Sequence, residues 1–183
     1  GGKRLGLIGY GRIAQGVGFL AQSFGMEIHA YDPYVSQKLA SKLGCTLHEN
    51  VDELFNHCTH ISVHCNLSDE TKHLVNLDRI SMMPGIGADG TACGNHIVNC
   101  ARGGIVDEMA VLEALESGML ASAALDVFEV EPAIGNPLLA HEGFHGSPHI
   151  GAATLEAQTR VGLEMVSNLL THFDGGRPTS ALN

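Results

Sequence analysis

Three side chains suited to binding and protonating a small acid each follow an apolar run of the sequence. Arg102 and two glycines follow one such run, while Glu131 and His149 follow two others. A guanidinium can hold a carboxylate with two parallel hydrogen bonds, and the glycines let a ligand approach the backbone closely. An imidazole beside a carboxylate can move a proton to and from a hydroxyl near neutral pH. The three residues together predict a site that binds an anion and transfers a proton.

A glycine-rich turn adds the pattern of a nucleotide site. Gly9, Gly11 and Ala14 form a G-x-G-x-x-A sequence between an apolar run and a helical pattern. The first glycine permits a tight turn, and the second lets a pyrophosphate approach the amino end of the helix. This pattern alone is weak, because such turns also occur as purely structural features. Asp32 follows about twenty residues later, where a carboxylate accepts hydrogen bonds from ribose hydroxyls and repels a 2′-phosphate. We therefore predict NAD rather than NADP as the cofactor.

Alternating strands and helices must position these residues. Nearly continuous apolar strands between helices predict an α/β fold, a Rossmann-type doubly wound parallel sheet with helices on both faces and one domain over residues 1–183. Such sheets bind ligands at the carboxyl ends of their strands. The predicted strands are 5–8, 27–31, 45–47, 61–65, 97–100, 122–127 and 144–146, and the predicted helices are 12–24, 37–43, 51–57, 108–117 and 154–173.

The segment 85–96 does not fit this alternation. It is rich in glycine and has no apolar period, and it is long for a connection in this kind of fold. We expect a mobile surface loop without secondary structure.

Composition narrows the possible partners and compartments. The 183 residues carry a formal net charge of −10, which argues against general affinity for nucleic acid or anionic membranes. The chain opens with Gly-Gly-Lys-Arg and enters a strand, and we expect neither a signal peptide nor a membrane span. Five cysteines, an odd number, are typical of reduced thiols in a cytoplasmic protein.

At five motifs the chain resembles the D-isomer-specific 2-hydroxyacid dehydrogenases. The resemblance implies NAD-dependent hydride transfer between a D-2-hydroxy acid and a 2-keto acid, with 3-phosphoglycerate and 3-phosphohydroxypyruvate the favoured pair, in a homodimer. The motifs are Gly-Tyr-Gly-Arg-Ile at 9–13, Tyr-Asp-Pro at 31–33, Asn-Cys-Ala-Arg-Gly-Gly-Ile-Val-Asp-Glu at 99–108, Ala-Leu-Asp-Val-Phe-Glu-Val-Glu-Pro at 124–132 and Pro-His-Ile-Gly-Ala-Ala-Thr at 148–154.

The resemblance also implies a role for each candidate residue. Arg102 would bind the carboxylate and keto oxygen of the substrate, His149 would be the acid–base, and Glu131 would pair with His149. Asp126 would lie against the nicotinamide. The remaining cofactor-binding residues would be Gly9, Gly11, Arg12, Ile13, Asp32, Cys65, Cys100, Ala101, Gly151 and Ala152.

The chain departs from the family pattern in several places, and two other functions remain open. Asn66 stands where the family commonly has proline, and Ala14 replaces the third glycine of the turn. We expect the family's substrate-binding domain to be absent from this chain. A non-catalytic NAD-sensing scaffold of the corepressor type is the alternative function. A formate dehydrogenase is disfavoured, because that pattern pairs the histidine with glutamine rather than with Glu131.

Histidines and cysteines elsewhere in the sequence suggest no further site. His57, Cys58, His60, His64 and Cys65 lack paired metal-ligand spacing, so we expect no metal. The histidines without an identifiable partner are interpreted as structural or exposed; they are His29, His48, His73, His96, His141, His145 and His172. An apolar stripe in the last helix is interpreted as core or subunit contact; it comprises Val161, Met165, Val166, Leu169, Leu170 and Phe173.

Overall fold

A single parallel sheet of seven strands organises the protein. The computed structural model describes residues 2–178, 180 and 181. The strands lie in the order β3-β2-β1-β4-β5-β6-β7, so the chain winds outward in both directions from β1 and β4. The predicted doubly wound sheet is therefore confirmed. The strands are β1 Arg4–Ile8, β2 Glu27–Tyr31, β3 Cys45–Leu47, β4 His60–Val63, β5 His96–Asn99, β6 Ser122–Leu125 and β7 Phe144–Gly146.

In the described part of the chain, five helices and one short 3-10 turn lie between strands, and a sixth helix follows the last strand. Asp107 is the N-cap residue of the helix Glu108–Glu116, and its Oδ1 accepts the backbone N–H groups of Met109 and Ala110. The sequence analysis missed α4 and the 3-10 turn, which are too short to show a helical period. The helices are α1 Arg12–Ser23, α2 Gln37–Lys42, α3 Val51–His57, α4 Leu77–Met82, α5 Glu108–Glu116 and α6 Leu155–Phe173, and the 3-10 turn is Pro137–Ala140.

The core has two parts, one on each side of the sheet's centre. The smaller part joins β1 and β2 to α1 and includes the ring of Tyr10, which is 1% exposed. The larger part buries the apolar residues of β4 to β6 against α3, α4 and α5. Alternate residues on these three strands, among them His60 and Ser122, are only half-buried. The sheet is thus buried on both faces at β1 and β2 and on one face at β4 to β6.

The glycine-rich segment between α4 and β5 is a small hairpin. Ile86 and Ala92 form an antiparallel bridge. At its base the Gly85 carbonyl accepts the N–H of Cys93 at 2.9 Å, and the buried side chain of Asn95 accepts the N–H of Gly85 at 2.8 Å. The prediction of a loop without secondary structure is therefore wrong. The hydrogen bonds of this segment are made by backbone and one asparagine, so no apolar period marks them in the sequence.

The chain divides into two compact units, Gly1–Pro148 and His149–Asn183. The second unit consists mainly of α6, whose first turn is capped by Thr154 Oγ1 accepting the N–H of Ala157 at 3.1 Å. Every residue of α6 is described, and none of them is buried. Its apolar stripe is therefore not core within the described part of the chain, and the subunit-contact interpretation stays a prediction.

No helix in the described part of the chain is long and apolar enough to cross a bilayer.

Several histidines have partners that the sequence did not reveal. His29 Nδ1 and His48 Nε2 lie 2.9 Å apart, and His96 Nδ1 lies 2.8 Å from Ser122 Oγ. Burial, with the charges of His48 and Arg4 contributing, lowers the pKa of His29 to about 4. Burial and the neighbouring His96 lower the pKa of His60 to about 4 as well. Both rings are therefore neutral in the folded protein at mildly acidic pH.

These two histidines predict a loss of stability as pH falls. Their ordinary pKa is 6.5, so between pH 6.5 and about 4 the unfolded chain binds protons that the folded chain does not. Each ring then contributes a slope of up to about 1.4 kcal/mol per pH unit to the free energy of unfolding. Replacing His29 and His60 together by glutamine should flatten this slope, whereas His145→Gln, at an exposed site, should not. Denaturant unfolding at several pH values measures it. An unchanged slope in the double variant would contradict the assignment.

Candidate active site

The turn after β1 requires glycine at its first position. Gly9 has a φ of 85°, and its N–H donates to the Tyr31 carbonyl at 2.9 Å. A Cβ at this position would lie 3.0 Å from backbone atoms of His64 and Cys65, beyond β4. Because both the dihedral angle and the space exclude a side chain, Gly9 brings the ends of β1, β2 and β4 together.

The second glycine opens the amino end of α1. Gly11 is the N-cap residue, and a Cβ built there would meet nothing within 4 Å. No side chain caps the twelve-residue helix, whose first-turn N–H groups have no partner within the helix. Arg12 is exposed, and Ile13 is 76% exposed. The helix therefore presents backbone donors and its positive dipole end to open space, which suits a phosphate group.

Asp32 connects this turn to the end of β2. Its Oδ2 accepts the N–H of Tyr10 at 2.7 Å, and its Oδ1 accepts the N–H of Tyr34 at 2.8 Å. Each carboxylate oxygen has a further lone pair that can accept a hydroxyl group. Burial, with a contribution from the charge of Asp32, raises the pKa of the Cys65 thiol. Cys65 therefore lies at the same edge as Asp32.

A buried asparagine shapes the turn that carries Arg102. Asn99 is fully buried at the end of β5; its Oδ1 accepts the N–H of Ala101 at 2.9 Å, and its Nδ2 donates to the Arg102 carbonyl at 2.9 Å. The Arg102 side chain is exposed, with Nη1 donating to the Ala101 carbonyl at 2.6 Å. Burial and then the charge of Asp126 raise the pKa of the exposed Cys100 thiol.

The turn after β6 carries two of the predicted carboxylates. Asp126 is 5% exposed; its Oδ1 accepts the hydroxyl of Ser147 at 2.6 Å, and its N–H donates to the Asn99 carbonyl at 2.9 Å. Glu131 is exposed, and its Oε1 accepts the N–H of Phe128 at 3.1 Å. Ser147, which follows β7, thus holds the Asp126 carboxylate, whereas the backbone of the turn itself holds the Glu131 carboxylate.

The turns after β5 and β6 touch through their backbones. A Cβ at Gly103 would lie 1.8 Å from the carbonyl oxygen of Phe128. No side chain fits into that space, so the second residue of the Arg-Gly-Gly sequence must be glycine. This close contact links the position of Arg102 to that of the 126–131 turn.

His149, Gly151 and Ala152 belong to the second compact unit. All three are exposed and precede the N-cap residue of α6. His149 has a φ of 55°, in the left-handed region that residues other than glycine rarely adopt. Strained conformations of this kind cluster at ligand and active sites. The pairing of Glu131 with His149 stays a prediction.

The carboxyl edge of the sheet in the first unit thus brings most of the predicted residues together. They are Gly9, Gly11, Arg12, Ile13, Asp32, Cys65, Cys100, Ala101, Arg102, Asp126 and Glu131. The sequence analysis missed Asn99 and Ser147, which hold Arg102 and Asp126. A polar residue that ends an apolar strand directly before a glycine-rich turn was the available signal for Asn99.

Comparison with known proteins gives a consistent family. Residues 1–151 match the model of the NAD binding domain of D-isomer specific 2-hydroxyacid dehydrogenases. The chain is 41% identical over 182 residues to D-3-phosphoglycerate dehydrogenase of Bacillus subtilis, covering all of this chain and 33% of that protein. It is 44% identical over 171 residues to hydroxypyruvate reductase of Thermotoga maritima, covering 92% of this chain and 52% of that one.

A solved structure gives the same family. The apo-structure of D-lactate dehydrogenase from Escherichia coli superposes with a TM-score of 0.84 and 31% identity, covering all of this chain and 55% of that one. The chain therefore spans between a third and somewhat over half of the length of these relatives. It belongs to the D-isomer-specific 2-hydroxyacid dehydrogenases and matches their NAD-binding domain.

Proposed function

We propose that the chain binds NAD along the carboxyl edge of the sheet, and that the whole protein transfers a hydride between NAD and a D-2-hydroxy acid. The observation that carries this proposal is the hydrogen bond between Tyr10 N–H and Asp32 Oδ2. It holds a carboxylate suited to ribose beside the open first turn of α1, which begins at Gly11 and is suited to pyrophosphate. Relatives that bear dehydrogenase and reductase names support the reaction class.

The predicted cofactor-binding residues would contact different parts of NAD. The backbone at Gly11, Arg12 and Ile13 would donate to the pyrophosphate, and the second lone pairs of Asp32 would accept the ribose hydroxyls. Asp126 would bind the nicotinamide carboxamide. When bound, NAD supplies the acceptor and donor of the hydride. The other lining residues would be Gly9, Cys65, Cys100, Ala101, Gly151 and Ala152.

The chain's own acid–base groups would perform the proton transfer. Arg102 would bind the substrate carboxylate with its planar guanidinium and hold the reacting carbon in position. In the oxidative direction His149 would accept the hydroxyl proton as the hydride leaves the carbon that bears this hydroxyl. In the reductive direction His149 would return the proton to the oxygen. Glu131 would balance the charge of the imidazolium and fix its tautomer.

Within the family's substrate class we propose 3-phosphoglycerate, oxidised to 3-phosphohydroxypyruvate. This proposal is supported by a relative that is named D-3-phosphoglycerate dehydrogenase and is 41% identical in sequence. Hydroxypyruvate reductase, a relative at 44% identity, is named for a different substrate, so assaying the whole protein with both acids decides between them.

We also propose that residues 1–183 form the NAD-binding domain of a larger protein, in which a separate domain completes the substrate pocket. A homodimer and a cytoplasmic location complete the proposal. The exposed apolar residues of α6 and the five free thiols support these two points. Light scattering on the whole protein measures its subunit number.

The first prediction for this site concerns cofactor choice. The 183-residue chain should bind NAD about tenfold or more tightly than NADP, because a 2′-phosphate would face the Asp32 carboxylate. Asp32→Asn should narrow this preference, since it removes the charge. Asp78→Asn, on the exposed side of α4, should leave it unchanged. Calorimetric titration of both cofactors measures the two affinities. Equal affinities in the unmodified chain would show that Asp32 does not face the ribose.

The second prediction concerns catalysis by the whole protein. His149→Asn should lower kcat by about two to four decades while the affinity for NAD stays unchanged, because only the proton transfer is lost. Arg102→Lys should raise KM and lower kcat, since an ammonium cannot reproduce a bidentate contact. Steady-state kinetics with 3-phosphoglycerate measure both. A His149→Asn protein with the original kcat would place the acid–base elsewhere.

A further inference from the structure

A cluster of charged side chains lies outside the proposed substrate and cofactor contacts. We call His73, Glu108 and Glu129 the clasp. The backbone N–H of Glu129 donates to Glu108 Oε1 at 2.5 Å, and His73 Nε2 lies 3.0 Å from Glu129 Oε1. The three residues come from three separate parts of the chain. The clasp therefore fastens the turn after β6 to two other segments.

One side of the clasp is fixed to the start of α5. Glu108 is the first residue of that helix, and its Oε2 accepts the side-chain amide of Asn136 at 2.5 Å. His73 Nδ1 also lies 3.8 Å from Oδ2 of Asp107, the N-cap residue of the same helix. The first turn of α5 thus holds the Asp107 carboxylate, while Asn136 and the backbone of Glu129 hold the Glu108 carboxylate.

The segment that carries His73 is tied down as well. His73 has a φ of 48°, and its backbone N–H donates to the Gly104 carbonyl at 2.8 Å. Two residues later Val75 forms a parallel bridge with Val106. His73 therefore reaches Glu129 from backbone that is bonded to the turn carrying Arg102.

The other side of the clasp leads to the proposed active-site residues. Phe128, the neighbour of Glu129, donates its N–H to Glu131 Oε1 at 3.1 Å. Its carbonyl oxygen occupies the space that a Cβ of Gly103 would need. A shift of the backbone at Phe128 and Glu129 would therefore displace the Glu131 carboxylate and the turn carrying Arg102 together.

Stability alone gives little reason for this arrangement. Glu129 is exposed and the His73 side chain is 37% exposed, so their ion pair lies where such pairs contribute little. The carboxylates of Asp107 and Glu129 also both lie within 4 Å of the His73 imidazole, and two like charges so placed repel each other. The neighbouring Val130 is 74% exposed, whereas Phe128 is buried in the larger core, so apolar burial of the turn ends at Glu129.

We propose that His73 and Glu108 are positioning residues that act through Glu129 and Phe128. They hold the Glu131 carboxylate and the turn carrying Arg102 in the positions that the reaction requires. The proposal rests on the proposed function of Glu131 and Arg102. The clasp contacts neither substrate nor cofactor; it fixes the backbone from which the catalytic side chains extend.

The test compares two glutamates of α5 in the whole protein. Glu108→Ala removes the clasp, whereas Glu116→Ala removes the same charge at an exposed position further along the helix. Glu108→Ala should lower kcat by about tenfold to a hundredfold, as expected for a misplaced catalytic group, with the dissociation constant for NAD unchanged. Hydrogen exchange of the Phe128 amide should accelerate by about tenfold or more as its bond to Glu131 loosens. Glu116→Ala should change none of these quantities.

Variants of Glu129 supply a second comparison. Glu129→Gln keeps an oxygen that accepts a hydrogen bond from His73. This variant should therefore retain most of kcat, and hydrogen exchange of its Phe128 amide should remain slow. Glu129→Ala loses that acceptor and should behave like Glu108→Ala. The proposal is overturned if Glu108→Ala keeps kcat, if kcat falls without faster Phe128 exchange, or if Glu129→Gln is as impaired as Glu129→Ala. If the unmodified protein oxidises no 2-hydroxy acid, the proposed function fails, while exchange at Phe128 still shows whether the clasp holds the turn.

Discussion

The bond from Tyr10 N–H to Asp32 Oδ2 is the constraint on which the cofactor half of the site depends. This bond of 2.7 Å joins the turns after β1 and β2, beside the glycine-rich turn that must leave space for a phosphate group. The buried ring of Tyr10 anchors one end of this bond in the smaller core. Burial raises the pKa of its hydroxyl to about 12, so the ring remains uncharged. Packing in the core thereby fixes the direction of the Tyr10 backbone N–H, and this N–H holds the Asp32 carboxylate in place.

The reacting half of the site depends in the same way on one buried amide. The side-chain oxygen and nitrogen of Asn99 both bond to the turn that carries Arg102. The backbone carbonyl of Asn99 accepts the N–H of Asp126. Because buried polar groups are costly unless paired, this arrangement has few alternatives. The charged side chains that face solvent are therefore placed by neutral, buried ones. The clasp works differently, because charged and partly exposed side chains hold the turn that carries Glu131.

Local patterns made much of this structure predictable. Gly9, Gly11 and Asp32 could be found because tight turns and phosphate contacts demand particular residue types at fixed spacing. Strand and helix positions followed from apolar periodicity. The side-chain partners of Asn99 are only two and three residues away, and a polar residue at the end of an apolar strand was a signal for it. The partners of Ser147 and His73 could not be found, because each lies on a segment distant in sequence. The hairpin between α4 and β5 was missed because backbone hydrogen bonds, which leave no pattern of side chains, account for most of it.

The central claim is that one sheet edge binds NAD between the first turn of α1 and Asp32. Titrating the isotopically labelled 183-residue chain with NAD, and following its backbone amide resonances, tests this claim most directly. The account predicts that the largest shifts fall at residues 10–13, 32 and 34, with further shifts at 65 and 99–102. Shifts concentrated instead along α5, or an absence of shifts at Gly11 and Tyr34 at saturating NAD, would contradict it.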